Sequence, residues 1–471
     1  MQTSGVQFGT SGARGLVIAM TDEVCFAYTL AFLQAIKAQK GTRIALATDL
    51  RPSSPTIAAA ITAAINYAGL QVDYCGAIPT PALAYYAQQQ GIAGIVVTGS
   101  HIPFDRNGIK FYSATGEITK QDETSISQAI VDVPETGLTT ALPAVNETAQ
   151  IAYIKRYVDY FAPNVFAGMR LGFYQHSSVA RDLLTLLLQK LGAEVIPLGR
   201  TNEFVPLDTE AVAPDDVARA KTWSSEYGFD AIISTDGDAD RPLIGDEAGR
   251  WLRGDIVGLL CAQFLQAQAV ATPVSCNTSV EKCGSFSQVK RTKIGSPYVI
   301  EAMEQLQAAG AEDIAGFEAN GGFLLGTTIT KNGRQLAQLK TRDAALPILA
   351  ILAMAKAKQC KVSALTQHLP ARYTASDRLQ PYPTQVSRLL LKQLAENLVE
   401  LNQLLKPLGA TVLHIDQTDG LRITLDNGEI VHFRPSGNAP ELRCYVEAGS
   451  QDRADVLVKK ALTQVREIGL T

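Results

Sequence analysis

The sequence predicts an α/β protein: three related α/β/α layered domains with mainly parallel mixed sheets and a smaller C-terminal α+β domain, around a central cleft. Apolar runs typical of buried strands alternate with helix-like runs through most of the chain. That alternation is the pattern of layered domains built on a largely parallel sheet. The chain has 471 residues, a length that suggests about three or four domains.

The first domain is predicted at 1–148. Its strands are "TRIALATD" (42–49), "LQVDYCGAI" and "GIAGIVVTGS", and the Ala-rich "SPTIAAAITAAINYAG" lies between the first two as a helix. A Thr- and Pro-rich stretch at 131–150 predicts the linker that follows.

The same alternation predicts a second domain at 149–252, from "MRLGFYQHS" to "FDAIISTDGDADR", and a third at 253–368. The apolar run "AALPILAILAMA" (344–355) is too short to span a bilayer, so it predicts a buried helix. A second linker is expected at 366–384. The final α+β domain, at 369–471, would combine a helix near 385–405 with several short strands and a last helix.

The composition argues against nucleic-acid-binding, secreted and membrane-spanning proteins. Hydrophobic residues make up 46% and charged residues 19%, and the net charge is -4, which argues against nucleic acid as a partner. The amino-terminal stretch shows no secretory signal, and no segment is long enough to span a membrane. The 7 cysteines include no CxxC pair, so reduced thiols and a cytoplasmic location are expected.

The acidic loop, "ISTDGDADRPLI" (233–244), carries Asp236, Asp238 and Asp240 at every second position after an apolar strand. Carboxylates this close repel unless a cation holds them, and Mg²⁺ suits oxygen ligands where phosphate completes the shell. An EF-hand is one alternative, but Arg241 stands where that motif needs glycine. A solvated acidic turn is the other.

The serine loop, "GIVVTGSHIPFDRNGIKFY" (94–112), places Ser100 on a turn after a buried strand. It is either an exposed hydroxyl able to accept a phosphoryl group or a serine that satisfies its own turn. His101 is either a base or a residue that shapes the loop. Lys110 is a proton shuttle or phosphate clamp if it faces the serine, and otherwise an exposed lysine.

Two further loops carry polar groups. The Arg434 loop, "RPSGNAPELR" (434–443), combines Arg434, Ser436 and Asn438 on a tight turn, which favours an anion such as phosphate; an ordinary turn is the alternative. The Glu318 loop, "GFEANGGFLLG" (316–326), offers Glu318 and Asn320 to vicinal hydroxyls of a sugar. A Gly-rich turn, "FGTSGARG", carries Arg14.

Taken together and in this order, the loops resemble those of the α-D-phosphohexomutase family, which includes phosphomannomutases and phosphoglucomutases. The resemblance covers the whole chain and implies that Ser100 is a phosphoserine. Its phosphate and Asp236, Asp238 and Asp240 would hold a single Mg²⁺ ion. The catalytic residues that it implies are Ser100, Lys110, Arg14 and His101. The implied substrate-binding residues are Arg241, Lys293, Glu318, Asn320, Arg434, Ser436, Gly437 and Asn438.

This chain departs from the family pattern at several positions. The family's sugar-binding loop often reads Gly-Glu-Met-Ser-Gly-His, whereas Asn320 replaces the serine and Gly322 the histidine here. Ser296 stands where some members carry histidine. The style of the Arg434 loop favours a phosphomannomutase over a phosphoglucomutase or phosphoglucosamine mutase.

The implied activity interconverts hexose 6-phosphate and hexose 1-phosphate through a 1,6-bisphosphate, which also serves as activator. The enzyme is expected to be a monomer or dimer. A sugar-phosphate binding protein without catalysis and a metal-dependent phosphatase are the alternatives. Neither membrane nor nucleic acid is expected as a partner.

Overall fold

The computed structural model describes residues 3–9, 12–436 and 440–468, and it divides into two compact units. The first unit runs to Val270 and resumes at Gly295–Gln367, and the second comprises Ala271–Ile294 and the chain from His368 onward. The second unit is therefore discontinuous in sequence. Within the described ranges, no helix has both the length and the apolar character needed to cross a bilayer.

The first unit opens with a mixed sheet. Its strands are β1 (Gln7–Phe8), β2 (Ala13–Leu16), β3 (Arg43–Thr48), β4 (Gln71–Ala77), β5 (Ala93–Val97), β6 (Arg106–Ser113) and β7 (Gly116–Glu117). The helices of this part are α1 (Asp22–Ala35), α2 (Ser54–Tyr67), α3 (Thr80–Gln90) and α4 (Lys120–Gln128). The strand order is β1-β2-β6-β5-β3-β4, with β7 beside β6. β3 pairs parallel with β4 and β5, and β6 is antiparallel to β5 and β2.

A second mixed sheet follows in the same unit. Its strands are β8 (Arg170–Tyr174), β9 (Glu194–Leu198), β10 (Ala231–Thr235) and β11 (Pro242–Gly245), and its helices are α5 (Thr148–Tyr160), α6 (Arg181–Lys190) and α7 (Pro214–Tyr227). β8 lies parallel to β9 and β10, whereas β10 and β11 form an antiparallel hairpin. Every residue of β10 is buried, as an inner strand covered on both faces should be.

The third part of the first unit carries α8 (Gly254–Leu265), α10 (Ser296–Ala308) and α11 (Ala345–Ala357). Its strands are β14 (Ile314–Phe317), β15 (Phe323–Leu325), β16 (Ile329–Lys331), β17 (Arg334–Leu336) and β18 (Leu339–Asp343). β15 is antiparallel to both β14 and β18. The helix predicted at 344–355 is α11, which is buried almost throughout. Strand β12 (Ala269–Pro273) leads out of the unit.

The second unit has an antiparallel sheet with the order β19-β23-β22-β21-β20. These strands are β19 (Tyr373–Leu379), β20 (Val412–Asp416), β21 (Leu421–Leu425), β22 (Ile430–Pro435) and β23 (Leu442–Ala448). Its other elements are α9 (Ser279–Lys282), β13 (Gln288–Thr292), α12 (Thr384–Glu396), α13 (Leu398–Leu405) and α14 (Gln451–Ile468). Leucines of α12, α13 and α14 join the sheet in one apolar core.

The segment Ala271–Ile294 is bound to the rest of the second unit by specific contacts. Asn277 Nδ2 donates to the carbonyl of Arg372 at 2.9 Å, and the backbone N–H of Thr278 donates to Glu447 Oε2 at 2.9 Å. The segment is therefore a structural part of this unit despite its distance in sequence.

The predicted fold class is confirmed: mixed sheets with helices in the first unit and an α+β arrangement in the second. The linker expected at 366–384 is wrong in part, because β19 lies within it and pairs with β23 over its whole length. Its side chains are mostly polar or exposed, so the stretch lacks the apolar alternation that predicts a strand.

Candidate active site

The serine loop places Ser100 just beyond the buried strand β5. Its backbone has the left-handed φ of 54°, and its N–H donates to Thr98 Oγ1 at 2.8 Å. The hydroxyl donates to Asp236 Oδ2 at 2.6 Å, and His101 Nδ1 lies 3.2 Å from it. The expectation of an exposed hydroxyl is wrong here, since Ser100 is 0% exposed and is covered by the acidic loop.

A buried arginine that sequence reasoning missed holds the serine loop. Arg51 Nη1 donates to the carbonyls of Pro103 and Arg106, both at 2.8 Å. Its Nη2 donates to the carbonyls of Ser100 at 3.0 Å and Ile102 at 2.6 Å. A Cβ on Gly99 would lie 2.5 Å from Arg51 Cζ, so glycine is needed there to admit the guanidinium.

The acidic loop closes the β10–β11 hairpin, and its backbone turns sharply because Ala239 has a φ of 57°. The turn places ligand oxygens of Asp236, Asp238 and Asp240 within 4.8 Å of one another, and all three residues are buried. The structure thus brings together the three carboxylates and Ser100, as the resemblance implies.

These residues fit a divalent cation. Asp238 Oδ2 accepts from Lys110 Nζ at 2.7 Å and from Thr80 Oγ1 at 2.5 Å, and Asp240 Oδ2 accepts from Lys110 Nζ at 2.6 Å. The opposite oxygens, Asp238 Oδ1 and Asp240 Oδ1, are buried and have no hydrogen-bond partner among the described residues. Carboxylate oxygens are the ligands that Mg²⁺ prefers, and buried oxygens without a hydrogen-bond partner are available to bind it.

The surroundings of Asp236 and Asp240 shift the pKa values of these two carboxyl groups in opposite directions. Burial raises the pKa of Asp236 well above its usual value, and repulsion by Asp238 and Asp240 adds to this effect. Burial also acts on Asp240, but Arg342, Lys110 and Arg241 hold the pKa of Asp240 below its usual range. A cation among the three carboxylates would relieve the repulsion that acts on Asp236.

Three predicted residues lie around this cluster. Arg241 Nε is 3.6 Å from Asp240 Oδ1. The positive charge of Arg241, followed by burial, lowers the pKa of the His101 imidazole well below its usual value. Arg14 lies on β2 beside β6, the strand of Lys110, and burial lowers the pKa of Arg14 to about 10, helped by Arg241 and Arg342.

The Glu318 loop is joined to the acidic loop by Arg342 on β18. Arg342 Nη1 donates to Glu318 Oε2 at 3.2 Å, and its Nε donates to Asp240 Oδ2 at 3.0 Å. Asn320 Oδ1 accepts from the N–H of Gly322 at 2.9 Å and so shapes the loop. Sequence reasoning missed Arg342, Thr80 and Arg51 because nothing in their local sequence marks the distant groups that they bind.

The second unit brings together other predicted residues. Asp419 Oδ2 accepts from Arg434 Nε at 3.0 Å. It also accepts, at 2.9 Å, from the backbone N–H of Ile294, the residue after Lys293. Lys293 lies just beyond β13, and the backbone N–H of Ser436 donates to the carbonyl of Glu441 at 2.9 Å. Gly437 and Asn438 lie outside the described residues.

Comparison with known proteins gives a consistent result over the whole chain. Residues 5–136, 151–249 and 253–373 match the phosphoglucomutase/phosphomannomutase alpha/beta/alpha domains I, II and III, and residues 388–463 match the C-terminal domain of the same family. The phosphomannomutase of Salmonella muenchen is 50% identical over 98% of this chain and 96% of its own. That of Sinorhizobium fredii is 43% identical over 97% of this chain and 98% of its own.

A solved structure has the same fold. The phosphoglucomutase/phosphomannomutase family protein from Burkholderia thailandensis superimposes with a TM-score of 0.76, at 20% identity, over 99% of this chain and 98% of its own.

Proposed function

Because the chain belongs to the phosphoglucomutase/phosphomannomutase family and is a hexose-phosphate mutase, we propose that it interconverts mannose 6-phosphate and mannose 1-phosphate through a phosphoserine at Ser100. The observation that carries this proposal is the 2.6 Å contact between the Ser100 hydroxyl and Asp236, inside a cluster of three buried carboxylates. A serine with only a structural role would not need a cation site beside it. The preference for mannose is supported by the two phosphomannomutase relatives.

Asp236, Asp238 and Asp240 would hold Mg²⁺ together with the Ser100 phosphate. Bound there, Mg²⁺ supplies positive charge against the oxygens of the transferring phosphoryl group. Lys110 Nζ, which donates to both Asp238 and Asp240, holds these carboxylates in place and adds its own positive charge. This arrangement suits catalysis by positioning and electrostatic stabilisation.

The phosphoryl group would pass from Ser100 to the free hydroxyl of the bound sugar phosphate. The bond between phosphorus and the serine oxygen breaks, and a bond to the sugar oxygen forms. The proton of the sugar hydroxyl would pass, by way of His101 or Lys110, to the departing serine oxygen, from which His101 Nδ1 lies 3.2 Å. The product is a hexose 1,6-bisphosphate, which would return its other phosphate to Ser100.

The remaining predicted residues would recognise the substrate. We assign the sugar hydroxyls to Glu318 and Asn320, and the charge of the sugar phosphate to Arg434 and Ser436. Arg241, Arg14 and Lys293 would contact phosphate oxygens as further cations.

Mass spectrometry of the intact protein, with the phosphate mapped to a peptide, tests the proposal before and after exposure to mannose 1,6-bisphosphate. Phosphate on Ser100 is the expected result. Its absence after loading would favour a sugar-phosphate binding protein, and release of inorganic phosphate without isomerisation would favour a phosphatase. Turnover of mannose and glucose phosphates, compared in the same preparation, tests the sugar preference.

A further inference from the structure

One buried guanidinium joins two loops that the proposed function assigns to different tasks. Arg342 is 2% exposed. Its Nε and Nη2 lie 3.0 and 2.9 Å from Asp240 Oδ2, and its Nη1 lies 3.2 Å from Glu318 Oε2. Arg342 therefore links the proposed cation ligand Asp240 directly to the proposed sugar ligand Glu318.

The Glu318 loop is shaped to admit this side chain. A Cβ on Gly322 would lie 2.6 Å from Arg342 Cδ and 2.8 Å from its Cγ. The backbone of Gly322 is not left-handed, so the side chain of Arg342, rather than the backbone conformation, is what requires glycine at this position.

The strand that carries Arg342 is itself anchored at the next residue. Asp343 accepts hydrogen bonds from Tyr153 at 2.5 Å, from Tyr157, and from the N–H of Ala345 at 2.9 Å. These contacts hold the end of β18 against α5 and the start of α11. The guanidinium therefore projects from a fixed base toward both loops.

We propose that Arg342 is a positioning and specificity residue. It holds Glu318 in one orientation relative to the acidic loop and so determines which arrangement of sugar hydroxyls Glu318 can bind. This inference rests on the proposed function of Glu318 and Asp240. It has a second consequence: the positive charge of Arg342 beside Asp240 opposes the binding of a cation at the same carboxylate, so Mg²⁺ binds more weakly than it would without Arg342.

The test compares Arg342→Gln and Gly322→Ala with the wild-type protein. In both variants we expect the KM for mannose 6-phosphate to rise about tenfold or more, because Glu318 is no longer oriented. The preference for mannose 6-phosphate over glucose 6-phosphate should fall by a similar factor. Isothermal titration with MgCl2 should show tighter Mg²⁺ binding to Arg342→Gln than to wild type.

The double variant should be no worse than Arg342→Gln alone, because both changes act on one contact. Lys340→Gln is the matched control, since it removes a cation from the same strand whose ion pair, in the described part of the chain, is with Glu304 at 3.3 Å. It should leave KM, selectivity and Mg²⁺ binding unchanged.

A purely structural role for Arg342 would weaken sugar and Mg²⁺ binding together, or lower the melting temperature with KM and selectivity unchanged, and either result would overturn the inference. The mass of the wild-type protein separates this failure from failure of the proposed function. If Ser100 carries phosphate and Arg342→Gln retains its selectivity, only the role of Arg342 is wrong. If Ser100 never carries phosphate, the proposed function itself is wrong.

Discussion

Ser100 combines a left-handed backbone with a buried hydroxyl. A non-glycine residue with this φ costs on the order of 1 to 3 kcal/mol and persists where the surroundings impose it. Here Thr98 Oγ1 accepts from the backbone N–H, and Arg51 donates to the carbonyl. These contacts aim the hydroxyl at Asp236.

We expect Ser100→Ala to lose turnover by about a thousandfold or more, because no other atom at this position can carry the phosphoryl group. The melting temperature should fall only modestly, because alanine loses the hydrogen bond to Asp236 but tolerates the left-handed backbone as serine does. A coupled assay of mannose 1-phosphate formation measures the loss. Ser113→Ala, at the end of β6, is the control and should retain activity; full activity in Ser100→Ala would contradict the proposed nucleophile.

At the scale of the element, the serine loop is held from within by one side chain. Four carbonyls of the loop converge on the Arg51 guanidinium, whose Nε also lies 3.3 Å from Asp49 Oδ2. The loop therefore depends on Arg51 for its shape more than on regular secondary structure.

We expect Arg51→Met to lower the free energy of unfolding by about 3 to 5 kcal/mol, because it leaves Asp49 as a buried charge without its partner. Turnover should fall as well, since the carbonyl of Ser100 loses its donor. Urea denaturation measures the first effect and steady-state kinetics the second. Arg43→Met removes a half-exposed cation from Asp73, which also accepts from Tyr86 and Asn146, and should cost only about 1 kcal/mol. Equal losses in the two variants would show that Arg51 is an ordinary ion-pair residue.

Strand β22 contains a buried histidine that gives the second unit a dependence on pH. His432 Nε2 donates to the carbonyl of Asp419 at 2.6 Å, and Nδ1 has no hydrogen-bond partner in the described part of the chain. Burial lowers the pKa of His432 from 6.5 to about 4, despite the carbonyl contact. The folded chain thus keeps His432 neutral while the unfolded chain binds a proton below about pH 6.5.

The stability contributed by His432 is complete above its unfolded pKa and is lost progressively as the pH falls toward about 4. Between about pH 7 and pH 5, we expect it to account for a loss of about 2 kcal/mol in the free energy of unfolding. His432→Gln, which keeps a donor for Asp419, should reduce the pH dependence by that amount in urea denaturation. His414→Gln, at an exposed position, is the control. An unchanged slope in His432→Gln would mean that other groups set the pH dependence.

At the scale of the whole molecule, the sequence was sufficient to predict the fold class and to locate the polar loops. The alternation of strand-like and helix-like runs can be recognised in a single sequence. The loops at strand ends also carry local patterns, such as the spacing of Asp236, Asp238 and Asp240. Arg51 and Arg342 could not be predicted, because their partners come from distant parts of the chain. β19 was missed for a related reason: its pairing with β23 comes from the backbone, and its side chains show no apolar period.

The cation should stabilise the molecule locally. We expect MgCl2 to slow hydrogen exchange in the first unit around Asp236–Arg241, because the cation relieves repulsion among buried carboxylates. The strands β19–β23 of the second unit serve as an internal reference and should exchange as before. Asp238→Asn should abolish the protection. Equal protection of both units, or protection that survives in Asp238→Asn, would place the cation elsewhere.

The discontinuous second unit has a consequence for synthesis on the ribosome. Ala271–Ile294 emerges before Gly295–Gln367, but its partners Arg372 and Glu447 are among the later residues to be translated. We expect this segment to stay sensitive to protease in ribosome-bound chains that end near Gln367, and to become resistant only after Glu447 has been added. A nascent chain must therefore carry this segment through the folding of its first unit before Arg372 and Glu447 exist, and a premature stop in the last part of the gene leaves the segment without those two partners.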